Sequence, residues 1–321
     1  MQLPSNFDEH GAQFAWDSTT LKAAYTCQRY YYYAFVENFS TENNSVHLLF
    51  GGIYAASLEH YHKMLATEDC THEEAVFSAV RYAMIRSWIH NLTPEGERRP
   101  GTGHPAEFLS SSKTRRNLIR TIIWYLEEFR NSDYTTLKLS DGRPAVEYSF
   151  KLPVDNGFVF CGHLDRVVDM VGDNFIQDQK STGTSLSAWS FLQYDLDVQM
   201  SMYTFAGNAI FHTPVKGVMV DIAQIATDYS KFLRGFTYRT KEQLEEFYAE
   251  SMAKIIETRE RTKRWRDTED ESAFPRNLTA CGNYGGCPFR ETCRQPAKYR
   301  QKFIRSNLAR RAEPWNPLVA R

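Results

Sequence analysis

The sequence predicts an α/β fold: a small strand-and-helix core between a helical N-terminal region and a C-terminal extension. Three observations predict it. Up to about residue 131 apolar residues recur at helical spacing; from about Ala145 the period falls to two; from Thr240 a long charged helical pattern leads into a cysteine cluster and a basic tail. The expected divisions are residues 1–140, 141–239 and 240–321. A chain of 321 residues is long enough to bury a substantial core.

In the first division, Asp17-Ser18 offers an N-cap to a helix over 19–39. A second helix follows over 73–90, where Val76, Val80, Met84, Ile85 and Trp88 keep one face apolar, and a third over 117–129. Residues 91–105, rich in Pro, Gly and charge, read as an exposed loop. In the second division Val146, Tyr148 and Phe150 alternate with Glu147, Ser149 and Lys151. Strands over 158–171 and 174–180 flank the turn Val171-Gly172-Asp173-Asn174. A helix over 192–211, a buried strand over 217–225 and an edge strand over 232–238 complete it. The third division opens with a charged helix over 240–266.

Composition narrows the function classes. Lys and Arg number 38 against 39 Asp and Glu, so any nucleic-acid affinity must come from local patches rather than a global field. No apolar run reaches the ~18 residues a membrane span needs, so no membrane partner is expected. The first ten residues are polar and acidic, unlike a signal peptide. A cytoplasmic, reducing location is expected, in which six cysteines are poor evidence for disulfides.

The chemistry concentrates on the hairpin. Gly162-His163-Leu164-Asp165 is followed by Asp178-Gln179-Lys180. Side chains two apart on a strand share a face, so Asp178 and Lys180 point the same way, and so do His163 and Asp165. A compatible register across the turn brings both carboxylates together. Two carboxylates suit Mg²⁺ or Mn²⁺, hard ions that take oxygen ligands. Such an ion generates hydroxide and neutralises phosphate charge, while a lysine orients water or stabilises the transition state. On the next helix Gln199 and Tyr203 are four apart and share a face. Solvated charges on a surface hairpin are the bland alternative for D-x-K alone.

In this order, Gly162 to Asp165, Asp178 to Lys180 and Gln199 to Tyr203 resemble the G-x-x-D, (D/E)-x-K and Q-x-x-x-Y motifs of the RecB-like PD-(D/E)xK nucleases, which include the AddB nuclease domain, CRISPR-associated RecB-type exonucleases and phage exonucleases. The resemblance implies a restriction-endonuclease-like core, a mixed sheet flanked by helices, over 141–239. It implies that Asp165 and Asp178, with the Gln179 carbonyl, are metal ligands and that Lys180 is the catalytic lysine. Gln199 and Tyr203 would lie beside the active site and DNA.

One motif departs. The family's earlier helix reads G-x-x-x-H-x-x-L-E and its histidine binds metal. Here Gly51, Leu58 and Glu59 fit, but Ala55 stands in the histidine's place. Glu59, one turn on, is a candidate for the site, and so is Glu147 on the first core strand. His163 is a candidate replacement ligand through the face it shares with Asp165; His60 and His62 are poorly placed for that role.

Cys281, Cys287 and Cys293 supply three soft ligands around Gly282, Gly285 and Gly286. Spacing alone does not separate a zinc site from a 4Fe–4S cluster. Cys287-Pro-Phe-Arg-Glu-Thr-Cys293 is similar to the family's C-terminal C-P-x-R-x-x-C. The stretch from Ser18 to Tyr30 is similar to its S-x-L-x5-C-P-R-x-Y, with Gln28 in place of proline. The resemblance thus implies that Cys27 is the fourth ligand of a 4Fe–4S cluster, in a subdomain of its own within 240–321. The five residues between Cys281 and Cys287, where the family has two, change the loop.

Basic residues over 290–311, and Lys113, Arg115, Arg116 and Arg120, are candidate phosphate contacts. Tyr30 to Tyr33 read as packing around the cluster, with base stacking the alternative. The leading expectation is a metal-dependent DNA exonuclease acting on single-stranded DNA or duplex ends, in recombination, repair or phage DNA processing. The chain carries no ATP-binding motif, so a helicase or other recombination protein is a candidate partner. The competing expectation is a catalytically silent iron–sulfur DNA-binding or scaffold subunit of a nuclease or CRISPR adaptation complex, which Ala55 favours.

Overall fold

The computed structural model describes residues 6–40, 46–67, 69–89, 103–106, 108, 110–283 and 286–320. It opens with strand β1 (Ala15–Trp16) and helix α1 (Ser18–Thr26), capped by a reciprocal Asp17–Thr20 box. The single helix expected over 19–39 is broken. At Cys27 the backbone turns extended (φ −166°), and the chain restarts as α2 (Gln28–Tyr31) and one wide turn over Tyr32–Val36. The cause is tertiary: the Cys27 thiol accepts the Asn277 N–H at 3.3 Å. Helical periodicity continues through the break because all five residues of that turn are buried.

Strand β2 (Phe39–Ser40) precedes α3 (Val46–Thr67), α4 (His72–Arg86) and, beyond the short antiparallel pair β3 (Trp88–Ile89) and β4 (His104–Pro105), α5 (Arg115–Glu128). Most of the loop expected over 91–105 lies outside the described residues. The three helices pack through Phe50, Tyr54, Leu58, Ala79, Leu118 and Ile122.

The sheet is built from β1, β5 (Thr135–Thr136), β6 (Val146–Pro153), β7 (Val159–Met170), β8 (Asp173–Thr182) and, after helix α6 (Val198–Ile210), β9 (Val215–Ile225) and β10 (Ser230–Tyr238). Its order is β1-β7-β8-β9-β10, with β5 and β6 also paired to β7. Strands β6, β7 and β8 are antiparallel; β8 and β9 are parallel across α6, so the sheet is mixed. The β7–β8 turn has two residues, Val171 (φ 54°) and Gly172 (φ 91°), both left-handed, the form that matches strand twist. The helix expected over 192–211 is two pieces. A 3₁₀ segment, Ala188–Tyr194, ends before Asp197, which caps α6 by accepting from Gln199 N and Met200 N.

Helix α7 (Lys241–Thr268) leads to α8 (Arg290–Arg294), α9 (Ala297–Asn307) and β11 (Ala309–Arg310), which pairs with β2 and returns the tail to the N-terminal region. One sheet face carries Val167, Ile176, Val218 and Val220 in a core with residues of α1, α6 and α7. On the other face Ala223 and Ile225 join the core of α3, α4 and α5. The architecture is a mixed sheet flanked by helices. Among the described residues no helix is long and apolar enough to cross a membrane.

Candidate active site

Register builds the site. Arg166 pairs with Gln177 at the end of the β7–β8 ladder, and just beyond that pair Asp165 comes near enough to Asp178 to feel its charge. On the other side of β7, Val146 pairs with Arg166 and Tyr148 with Leu164, which sets Glu147 (φ 48°) across from Asp165. Alternation puts Asp178 and Lys180 on the sheet face covered by α6. Lys180 Nζ lies 2.9 and 2.8 Å from the two Asp178 carboxylate oxygens and donates to Gln199 Oε1 at 3.0 Å. Gln199 Nε2 donates to Asp178 Oδ1 (3.2 Å) and Tyr203 OH (2.9 Å), so the amide is clamped from both sides. The Gln179 N–H reaches Asp165 Oδ2 at 3.5 Å. His163 bonds through Nδ1 to Ser149 Oγ at 2.9 Å.

The electrostatics follow from burial and crowding. Asp165 is raised to about 8, first by burial, then by Asp178 and Glu147, against the pull of Lys180. Burial lifts Asp178 too, and Lys180 opposes it. Burial alone works against the Lys180 ammonium, but Asp178 and Asp165 overcome it and its pKa rises. Tyr203 is pushed well up by burial and then by both aspartates. This is an excess of buried negative charge with one lysine to answer it. Asp178 Oδ2 is buried and, although near Lys180 Nζ, has no aligned hydrogen-bond donor. Among the described residues no three His, Cys, Asp or Glu groups stand close enough to hold a metal by themselves. Two carboxylates and a backbone carbonyl nevertheless suit Mg²⁺, which keeps several waters and takes only one or two carboxylates.

Glu59 is half-buried on α3 and pairs with Lys63 at 2.5 Å. A Cβ placed on Gly51 would meet Ser181 Oγ at 3.5 Å, so α3 passes the end of β8 just beyond Lys180, and Ala55 follows one turn later. His60 bonds Ser78 Oγ and stacks on Tyr82. His62 is buried 3.5 Å from an Arg166 nitrogen. Both are engaged away from the aspartates.

Behind the site lies a buried network that sequence reasoning missed. Arg166 donates to Gln177 Oε1 (2.9 Å), Gln177 Nε2 to Asp221 Oδ2 (2.7 Å), and Arg234 to both Asp221 oxygens (2.6 and 2.7 Å). Tyr125 OH also donates to Asp221 Oδ2, at 2.6 Å. Arg166 and Gln177 are the chain neighbours of Asp165 and Asp178, so the network fixes from behind the register that brings the two carboxylates near each other. The signal in the sequence was the charge of Asp221 and Arg234 inside otherwise apolar strands.

Two distant stretches of the chain meet at Cys27, whose thiol accepts the Asn277 N–H, although among the described residues no three cysteines stand close enough to hold a metal together. Cys281 Sγ donates to Asn277 O (3.7 Å), Cys287 N donates to Cys281 O (3.0 Å), and Arg276 donates to Cys293 O (3.0 Å). The thiols feel one another. Burial raises Cys287, with smaller contributions from Cys27 and Cys281; burial pushes Cys293 up to about 11, with Cys287 and Cys27 adding to it. Gly285 lies outside the described residues. Of the tyrosine run, Tyr32 stacks on Phe274, and Tyr30 and Tyr33 pack on Phe289. Of the candidate phosphate contacts, Lys113 is buried over Phe50, while Arg115 and Arg120 are held by backbone carbonyls. Arg290, Lys298, Lys302 and Arg305 stay exposed.

A mixed sheet with two neighbouring aspartates and a lysine beside one of them is the ground plan of a phosphodiester-cleaving α/β protein. A profile of the PD-(D/E)XK nuclease superfamily matches residues 16–294, and the chain belongs to that superfamily. A solved structure, the crystal structure of SSO0001, shares 9% identity over 73% of this chain and 84% of its own, with a TM-score of 0.26, and at that similarity carries no argument. No curated protein matches significantly.

Proposed function

We propose that the chain is a metal-dependent deoxyribonuclease of the RecB-like branch, working as an exonuclease on single-stranded DNA or duplex ends. The observation that carries this reading is the Asp178–Lys180–Gln199 cluster set near Asp165, a buried site with more carboxylate than cation. In this reading Asp165, Asp178 and the Gln179 carbonyl hold Mg²⁺ or Mn²⁺. The ion supplies charge neutralisation and an acidified water. Lys180 aims its remaining N–H at the attacking water or the phosphate oxygens. Gln199 keeps that ammonium in place and Tyr203 braces Gln199. Glu147, opposite Asp165, contributes negative charge at the same point. Glu59, held by Lys63, flanks the site from α3.

Cys27, Cys281, Cys287 and Cys293 are proposed to carry a 4Fe–4S cluster with a structural role. The division at 140 and 240 is proposed to separate helical frame, nuclease core and cluster-bearing tail. A cytoplasmic location, roles in recombination, repair or phage DNA processing, and a helicase partner belong to the same reading.

Purified protein mixed with end-labelled single-stranded DNA and Mn²⁺ should shorten it from an end, and Lys180→Ala should lose at least a hundredfold in rate. Equal inertness of both proteins abandons the enzyme reading for the catalytically silent scaffold that Ala55 favours. A brown protein absorbing near ~400 nm supports iron–sulfur; a colourless protein with stoichiometric zinc refutes it.

A further inference from the structure

Beside the carboxylates the structure holds a cleft of about 280 Å³. Its floor is Gly162, Asp165, Gln199 and Tyr203, three of which also build the candidate active site. Its walls come from opposite ends of the chain: Ser18 and Thr19 at the start of α1, and Trp315, Pro317 and Val319 of the C-terminal tail. The tail is anchored. Trp315 Nε1 donates to Asp17 Oδ2 at 3.1 Å, and its ring meets Phe35 edge-on, 6.4 Å between centres. Arg311 secures the approach by donating to the Ala34 and Asn38 carbonyls.

Three properties decide what fits. The volume lies at the lower edge of the ~300–1,000 Å³ that drug-sized ligands occupy, which admits one nucleoside-sized group and excludes a base pair. No lysine or arginine lines it among the described residues, where Asp17, His163 and Asp165 are among the titratable groups, so a phosphate finds no fixed cation there apart from a metal held by Asp165, and the rest of the lining suits an uncharged ring. Trp315, 38% exposed, offers an indole surface, and the hydroxyls of Ser18 and Thr19 with the Asn316 amide offer hydrogen bonds to a heterocycle's edge.

We infer that this cleft is a nucleobase site: it takes the base and sugar of one unpaired nucleotide next to the phosphate being cleaved, with Trp315 as its stacking wall. The inference rests on the nuclease reading and sharpens its substrate class, since a strand must be unpaired at that nucleotide to enter. The phosphate to be cleaved then lies beside Asp165, the member of the carboxylate centre that lines the cleft.

The test is a binding cycle in the full-length Lys180→Ala protein, which separates binding from cleavage. Fluorescence anisotropy is read for a labelled single-stranded oligonucleotide and for a series carrying one abasic residue moved along the strand. Trp315→Ala should weaken binding of the intact strand roughly tenfold, the size of one base–aromatic stack, and Trp315→Phe should restore most of it. At one position the abasic residue should weaken binding to a similar degree and make Trp315→Ala and Trp315 proteins equal. Abasic scanning needs no substitution in the tail, so it stands even if a variant misfolds. Losses that multiply at every position, no dependence on any single base, or no oligonucleotide binding at all overturn the inference. Cleavage by the unsubstituted protein is scored separately: an intact cycle without cleavage removes the nuclease reading and leaves the base site.

Discussion

Asp165 is where burial and like charge meet, and the balance makes it costly in the metal-free fold. Its raised pKa has burial as the largest cause and Asp178 and Glu147 as the next like-signed ones. Asp165→Asn removes a carboxyl that the unfolded chain ionises freely and the metal-free fold resists ionising, so at neutral pH the metal-free protein should melt higher, by a few degrees, and cleavage should vanish. The same variant should lose the rise in melting temperature that Mn²⁺ gives the parent, which scales as RT ln(1 + [L]/Kd). A variant that melts lower than the parent without metal would show that Asp165 is held by contacts rather than strained by charge. His62 gives a second residue-scale outcome. Burial, then Arg166 and Arg234, keep it neutral in the fold, far below its ordinary 6.5. The unfolded chain takes up a proton below about 6.5 and the fold does not, so stability is complete above that pH. It falls as pH drops, by up to about 1.4 kcal/mol per unit. His62→Gln should flatten the parent's loss of melting temperature between about pH 6.5 and 5; identical slopes in both proteins would count against the assignment. At this scale Asp165, Asp178, Lys180, Gln199 and Tyr203 were legible because strand and helix periods set which near neighbours share a face. Arg166, Gln177, Asp221 and Arg234 were not, because their partners are set by strand order, which no local spacing encodes.

Among the elements, α6 carries the link between capping and chemistry. Asp197 accepts the Gln199 and Met200 N–H groups and pairs with Lys22 at 2.7 Å, fixing the first turn from which Gln199 reaches Lys180. Losing the cap in Asp197→Ala costs about 1 kcal/mol of stability. If the cap positions Gln199, the cleavage rate should fall more than tenfold at a temperature where the protein remains folded, with KM little changed; Asp197→Asn should recover both. A rate that merely tracks the folded fraction would reduce Asp197 to a stabilising cap. Element boundaries were the least legible feature. The helix over 19–39 and that over 192–211 read as continuous because apolar spacing runs through Cys27 and through 195–197. The breaks answer to a thiol contact 250 positions away and to an aspartate cap. The strands were read closely, since alternation, a Gly-containing turn and an apolar run are all local signals.

For the molecule as a whole, the sheet alone does not join the chain's ends. Contacts between the ends do, among them the β2–β11 pairing and Glu271, which is paired to Arg29 at 3.2 Å and to Arg300 and accepts from Tyr33 OH at 2.8 Å; the proposed cysteine cluster would add a further tie. The α/β core between helical ends was legible because its period changes at about residue 145 and again at 240. The observed closure between ends was not legible, because the partners of Glu271, Phe39 and Trp315 are set by tertiary packing; the cysteines offered a proposed closure of their own. Fixing Cys27 to Cys281 closes about 250 residues, which by loop entropy is worth roughly 5 kcal/mol at most. The Glu271 and β2–β11 contacts already restrict the same closure, so the realised gain should be about 2–4 kcal/mol. Cys27→Ser should therefore bleach absorbance near ~400 nm, lower the melting temperature and open the segment over 276–320 to protease, while the sheet core resists digestion. Glu271→Gln, which weakens the ion pairs and leaves every thiol in place, should expose the same segment without bleaching. Two variants that open one segment with different spectra separate the contribution of the proposed cluster from that of the ion pairs. A Cys27→Ser protein with unchanged colour and protease pattern would remove Cys27 from the staple.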